Sequence, residues 1–287
     1  MTGASAIVNA LRAALGGDPT LVVLGADVGV GGGPFGMTAG LLADLGPDRI
    51  VELPAADRAV AGVALGMALA GRRVVVVLDG AGRLGAVVEV LRSAVAFSAA
   101  SGIGYTVIAP YGTEAGALDA PVGLVTRIPG LTVNCAASAG QLGPLVRAAI
   151  SANRPTVLLA PRSALIGQES AHTSHSASIL QSGQHVTLAA WGGGVADAVA
   201  AATALGADGI SAEVVDLVTL APIDVDTLGE SVRRTGRLVV VHPSDAALAL
   251  DPAQIGLDQA FLYLESPIRF AVGAVAAEAA ARQSVAW

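Results

Sequence analysis

The sequence predicts an α/β protein built on mainly parallel sheet and divided into two successive domains. Its strand candidates are short runs of Val, Ile and Leu without polar alternation, the pattern of strands covered on both faces. These runs alternate with helix-length segments, the order expected of βα layers. After "LLAPRSAL", residues 158–165, the chain turns small, polar and aperiodic, and the alternation then resumes.

In the first domain, expected over residues 1–168, the strands are "TLVVLGADV", "RRVVVVLDG", "IGYTVIAP", "GLTVNCAA" and "RPTVLLAP". Helices are expected at about 4–16, 36–45, 57–70, 84–100 and 139–151. Within the fourth helix, Glu89 and Arg92 stand at i, i+3, a spacing at which they can pair on one face. Residues 169–184, inside "IGQESAHTSHSASILQSGQ", read as a linker. The smaller second domain, 185–287, opens with "HVTLAAWG" as strand and "GVADAVAAATALGADG" as helix. It continues with "SAEVVDLVTLAPID" as strand and turn, "VDTLGESVRRTG" as helix and "RLVVVHPSD" as strand.

Composition limits the partners. With 53% hydrophobic and 14% charged residues and a mean hydropathy of +0.66, little polar material is left to cover a monomer, so burial against another subunit is expected. Sixteen Lys and Arg against 23 Asp and Glu give a net charge of -7 without a basic patch, which argues against nucleic acid. The apolar runs are broken by Gly, Pro, Asp or Arg, and the start lacks a secretory pattern, so neither a membrane span nor export is expected and the location is read as cytoplasmic. The single cysteine, Cys135, excludes an internal disulfide and reads as a structural thiol.

No GxGxxG or GxxxxGK[ST] phosphate motif is present, and "VGVGGGPFG" at 28–36 reads as a flexible turn or a substrate-channel loop. Asp57 opens the nearly charge-free helix "DRAVAGVALGMALAG" and has two readings. It is either a first-turn carboxylate meeting free amides and the helix dipole, or an ionised group at the carboxyl edge of a parallel sheet, where ligands collect. Arg83 stands at a helix start, where the dipole disfavours a cation; it reads first as a surface arginine and second as a candidate for meeting an anion. His172 and His175 lie in the linker without further ligands nearby and read as solvated. His242 ends a strand and is expected in a structural or interface role.

The stretches "DPTLVVLGADVGVGGGPFGMTAGLLADLGPDRIVELPAADRAVAGVALGMALAGRRVVVV", "IPGLTVNCAASAGQLGPLVRAAISANRPTVLLAPRSAL" and "VTLAAWGGGVADAVAAATALGADGISAEVVDLVTLAPIDVDTLGESVRRTGRLVVV" resemble, in family order over residues 7 to about 243, the β subunit of the thiamine-diphosphate-dependent 2-oxoacid dehydrogenase E1 component, a relative of transketolase. The resemblance implies a pyrimidine-binding domain followed by a transketolase C-terminal domain. It also implies an α-like partner of E1 or transketolase N-terminal type that holds the diphosphate and Mg²⁺ of thiamine diphosphate, and a β–β contact within an α2β2 assembly. An acyl-carrier or lipoyl domain is a further partner implied in this way. On the same basis Asp57 stands where the family has the glutamate that hydrogen-bonds N1′ of the aminopyrimidine, one methylene shorter.

Other positions depart from the family. The family's "GED" is "GAD", with Ala26 for the glutamate and Asp27 retained as a cofactor-side residue. The aromatic residue that packs on the pyrimidine falls near Arg83, the "QHS" histidine falls near Ala117, and the last loop is replaced by "HPSDAALALDPAQ". The expected function is therefore that of a β-like subunit transferring a two-carbon ketol or acyl unit, or decarboxylating a 2-oxoacid, with Asp57 as the activating carboxylate. The alternative is a non-catalytic structural or regulatory partner.

Overall fold

The computed structural model describes residues 1–112, 120–168, 172–242 and 246–287. Its contacts divide the chain into two units, Met1–His175 and Ser176–Trp287.

In the first unit the elements follow the order α1 (Gly3–Gly17), β1 (Leu21–Gly25), α2 (Leu41–Leu45), β2 (Ile50–Glu52), α3 (Asp57–Leu69), β3 (Arg73–Val77), α4 (Leu84–Ser101), β4 (Tyr105–Tyr111), α5 (Ala120–Thr126), β5 (Thr132–Cys135), α6 (Ala139–Ser151), β6 (Thr156–Pro161) and α7 (Arg162–Ile166). The strands pair in parallel in the order β5-β6-β4-β3-β1-β2. Residues of β1, β4 and β6 are buried throughout, which is why their sequences carry no polar alternation. From β1 the chain steps outward to β2, then crosses back over β1 to β3 and on to β4. That reversal makes a topological switch point beside β1, where the loops diverge and leave a crevice at the carboxyl ends of the strands. Right-handed crossovers place α3 and α4, which pack together, on one face, and α6, which packs on α1 and α7, on the other.

Local chemistry sets the element ends. Thr2 caps α1 by accepting from the Ser5 amide at 3.3 Å, and Ser138 with Gln141 forms a capping box on α6. The expected helix at 36–45 is reduced to the five residues of α2. Gly40 and Gly46, at φ of 78° and 79°, bracket it in conformations that a helix does not use. Tyr105 of β4 donates its hydroxyl to the Ala61 carbonyl at 2.9 Å and so pins α3 onto the sheet. Burial there pushes the Tyr105 phenol well above its ordinary pKa.

The second unit runs β7 (Ser178–Gln181), β8 (Val186–Ala190), α8 (Gly194–Ala207), β9 (Ala212–Asp216), β10 (Thr219–Ala221), α9 (Val225–Thr235), β11 (Leu238–Val241), α10 (Ala246–Ala260), β12 (Arg269–Ala271) and α11 (Ala274–Val285). Its sheet has the order β12-β11-β8-β9-β7, parallel except for β7, which adds antiparallel to β9. The linker expected over 169–184 is thus corrected: Ser178–Gln181 is an edge strand, because the ladder with β9 satisfies its backbone where the side chains alone gave no strand pattern. Inside this unit Thr187 bonds both Ser231 and Thr235 at 2.7 Å, and buried Glu213 is paired with Arg234. Both clusters give buried polar groups partners, as low-dielectric surroundings require.

Two further readings are corrected. Glu89 and Arg92 do not pair, although their spacing permits it; both side chains are exposed and unbonded among the described residues. The helical segment Ala81–Ser101 is long and apolar enough to cross a membrane by length and composition, which the sequence reading did not anticipate. Those two charges at its middle would be costly in hydrocarbon, and its inner side packs on α3 in the layer described above.

Candidate functional site

Three loops leave the carboxyl ends of the neighbouring strands β2, β1 and β3, and each carries one residue singled out by sequence. Asp27 follows β1, Asp57 follows β2 and Arg83 follows β3.

Asp57 is the first residue of α3. The capping position belongs to Ala56, which makes no side-chain cap, so Asp57 acts on the helix through its charge in the first turn rather than as a hydrogen-bonding cap. Its side chain is 18% exposed, and its Oδ2 lies 3.7 Å from Nη1 of Arg83, whose side chain is 60% exposed. The contact is an ion pair just beyond hydrogen-bond reach. Arg83 closes a 3-10 turn, Ala81–Arg83, that follows β3; its amide donates to the Gly80 carbonyl at 3.0 Å. The arginine is a largely exposed surface residue whose guanidinium faces the Asp57 carboxylate.

Asp27 makes different contacts. It sits at φ 57°, a left-handed conformation that Asp tolerates better than most residues, and its carbonyl accepts from the Gly33 amide at 2.7 Å. Its carboxylate lies against Gly31, so closely that a Cβ added there would collide with it. The structure thus makes Asp27 an organiser of the loop 28–33. Glu52 assists: at the end of β2 it accepts from the Gly29 amide at 2.9 Å. Sequence reasoning missed Glu52, although an acid closing a strand one loop before Asp57 was visible in "VELPAAD". Thr38 completes the loop by donating to the Val28 carbonyl at 2.8 Å. The triple glycine forms a turn, with Gly32 and Gly33 at φ 78° and 70°.

The remaining candidates stand on other elements. His172 is tied to the start of α6: its Nε2 is 2.8 Å from Gln141 Nε2, and its carbonyl accepts from Ser138 Oγ at 2.9 Å. It is therefore an anchored residue, where the sequence suggested a solvated one. In the second unit His242 is buried and stacked on Trp191, with ring centroids 6.2 Å apart. Cys135 is buried at the end of β5. Ala117 falls outside the described residues, as do 243–245 of the replaced last loop.

A parallel α/β unit with acidic residues gathered beyond a switch point, followed by a second, mainly parallel α/β unit, is the class of transketolase-like proteins. Two family models match: residues 1–168 fit the transketolase pyrimidine-binding domain and residues 175–285 the transketolase C-terminal domain. The chain belongs to this transketolase-like family, which includes the beta subunits of the pyruvate dehydrogenase E1 component. One such subunit, from Bacillus subtilis (strain 168), is 33% identical over 286 residues, covering 93% of this chain and 88% of the relative. Another, from Leifsonia xyli subsp. xyli, is 32% identical over 277 residues, with 90% and 82% covered. A solved structure described as a split-gene transketolase, an inactive beta4 tetramer, superposes with a TM-score of 0.83 at 23% identity, covering 100% of this chain and 98% of that one, a likeness of fold.

The family is one of thiamine-diphosphate enzymes, and the residues present fit only one end of that cofactor. A carboxylate such as that of Asp57 is chemically able to accept from a ring N–H, and here it faces the exposed Arg83 guanidinium. For the diphosphate end the donor set is lacking: among the described residues no group of three or more His, Cys, Asp or Glu could hold a metal ion.

Proposed function

We propose that this chain is the β-type partner of an α-type subunit, and that it contributes structure or regulation to their assembly rather than cofactor activation. The observation that carries this reading is the state of Asp57, whose carboxylate faces the Arg83 guanidinium at 3.7 Å. Aspartate is shorter than glutamate by one C–C bond, about 1.5 Å, against a hydrogen-bond window only ~0.5 Å wide. Misplacement by about 1 Å costs on the order of 100-fold in rate. Ala26 removes a second acid from the same edge. The inactivity stated for the similar beta4 tetramer supports the same reading. In the proposed assembly the α-type chain holds the diphosphate and Mg²⁺, two copies of this chain meet in an α2β2 arrangement, and the complex works in the cytoplasm.

A second reading has its own support, the retention of a carboxylate beyond β2 at the switch point. In it Asp57 holds a proton at N1′, and the assembly transfers a two-carbon ketol or acyl unit, or decarboxylates a 2-oxoacid, with a lipoyl or acyl-carrier domain as acceptor.

Calorimetry with thiamine diphosphate and Mg²⁺ separates the two. The folded chain alone is expected to show no binding, and a mixture with an α-type chain from the same source should bind equally well with wild type and with Asp57→Asn. Low-micromolar binding by the lone chain, or loss of binding on that substitution, contradicts the proposal.

A further inference from the structure

The last strand of the second unit, β12, is an edge: among the described strands it pairs with β11 alone, and α11 packs back against it. Between strand and helix lies an open cleft of about 420 Å³, within the range of small-ligand pockets. One side is lined by Ile268, Arg269 and Phe270. The other is a stripe of α11, with Ala276, Ala279 and Ala280 followed by Gln283, at i, i+3, i+4 and i+7, which runs ~10 Å along the helix. Alanines there leave open the space that longer side chains would fill.

Arg269 gives this cleft its charge. The other four arginines of the second unit each bond a described partner: Arg234 pairs with Glu213, Arg237 with Glu265 at 2.7 Å and Arg282 with Glu278 at 2.7 Å, and Arg233 donates to the Gln259 carbonyl at 3.0 Å. Arg269 makes no hydrogen bond or ion pair with a described residue, although its Nε is shut off from solvent. A buried guanidinium N–H without an acceptor is costly, and folded proteins leave few such groups. No acidic residue lines the cleft, so nothing there offsets the charge.

We propose that the cleft binds a small monocarboxylate with an apolar body, its head held by Arg269 and the Gln283 amide and its chain laid along Ala276 and Ala279 against Phe270. The charge count selects the head group. One guanidinium balances one negative charge, and its planar fork matches a carboxylate. A phosphate monoester brings about 1.5–2 negative charges at neutral pH and calls for further cations, which the cleft lacks. The ~10 Å apolar stripe selects an unbranched chain of medium length. All the lining residues belong to the second unit, so the site stands whether or not Asp57 acts on a cofactor.

The test is a ligand-observed NMR titration of the full chain with octanoate, with its neutral counterpart octanamide and with octyl phosphate. Octanoate is expected to bind wild type with a Kd of about 0.1–1 mM, and octanamide at least about tenfold more weakly. Arg269→Gln should weaken octanoate at least about tenfold and leave octanamide unchanged. Ala279→Leu fills the cleft from an exposed helix position that tolerates Leu; it should melt like wild type and bind neither ligand. Wild type that ignores octanoate up to about 10 mM overturns the proposal, as does octanoate binding that survives either substitution. Octanamide binding as tightly as octanoate reduces the cleft to an apolar surface, and octyl phosphate binding at least about tenfold more tightly makes the ligand a phosphate; either result also overturns it. Should Arg269→Gln fail to fold, Ala279→Leu and the octanamide comparison decide the matter.

Discussion

Removing the Asp57–Arg83 contact tests whether the arginine is a displaceable occupant of the sheet edge or a lock within it. At 3.7 Å two unit charges attract by about 1 kcal/mol in water and about 4 at an effective dielectric of 20. Arg83 is mostly exposed, which places the pair near the aqueous limit, where measured couplings run from about 0.2 to 1 kcal/mol. We expect a coupling of about 0.5 kcal/mol from the cycle wild type, Asp57→Ala, Arg83→Ala and the double substitution, read by urea denaturation. For a unit of this size that corresponds to roughly 1–2 °C in thermal midpoint. Asp57→Ala alone should cost a further ~0.3–1 kcal/mol, because the first turn of α3 loses its carboxylate. Salt at 1 M should erase most of the coupling, as the screening length falls to about 3 Å. A coupling above about 2 kcal/mol, or one indifferent to salt, would refute the reasoning and make the pair a fixed structural element.

Three further outcomes are expected. Tyr105→Phe should destabilise the first unit by about 1 kcal/mol through loss of the bond to Ala61. It should also flatten alkaline unfolding: the folded phenol stays protonated above the pH at which the unfolded one ionises, so wild-type stability is full below about pH 10 and falls as pH rises beyond it, which a denaturation series from pH 8 upward reads directly. Glu52→Ala should free the Gly29 amide, visible as faster hydrogen exchange in the loop 28–33, whereas Glu52→Gln should retain most of the protection. Thr187→Val should cost about 1–3 kcal/mol in the second unit, since Ser231 and Thr235 lose a buried partner.

Most of the sheet was legible because burial on both faces writes itself into a strand as an unbroken apolar run: β1, β3, β6, β8 and β11 lie inside segments expected from that pattern, and β4 overruns its segment by Tyr111 alone. Elements held by their neighbours were not legible. β2 has only three residues and β7 is a four-residue edge strand, Ser-Ile-Leu-Gln, without clean alternation; both exist because β1 and β9 offer them a ladder, which no local composition reports. At the site, the helix start at Asp57 could be read, but not its encounter with Arg83, which depends on β1, β2 and β3 lying side by side. Glu89 and Arg92 show the converse: helix spacing allowed a pair, and spacing alone does not outweigh the entropy of ordering two exposed side chains.

The central claim, that Asp57 no longer activates a cofactor, is tested most directly by exchange of the C2 proton of thiamine diphosphate in the complete assembly with an α-type chain, compared for wild type, Asp57→Asn and Asp57→Glu. The account predicts that wild type and Asp57→Asn exchange at the same rate and that Asp57→Glu, with its longer reach, exchanges faster. Wild-type exchange at least about tenfold faster than Asp57→Asn, at unchanged folding and binding, would contradict it and establish the short carboxylate as a working catalytic group.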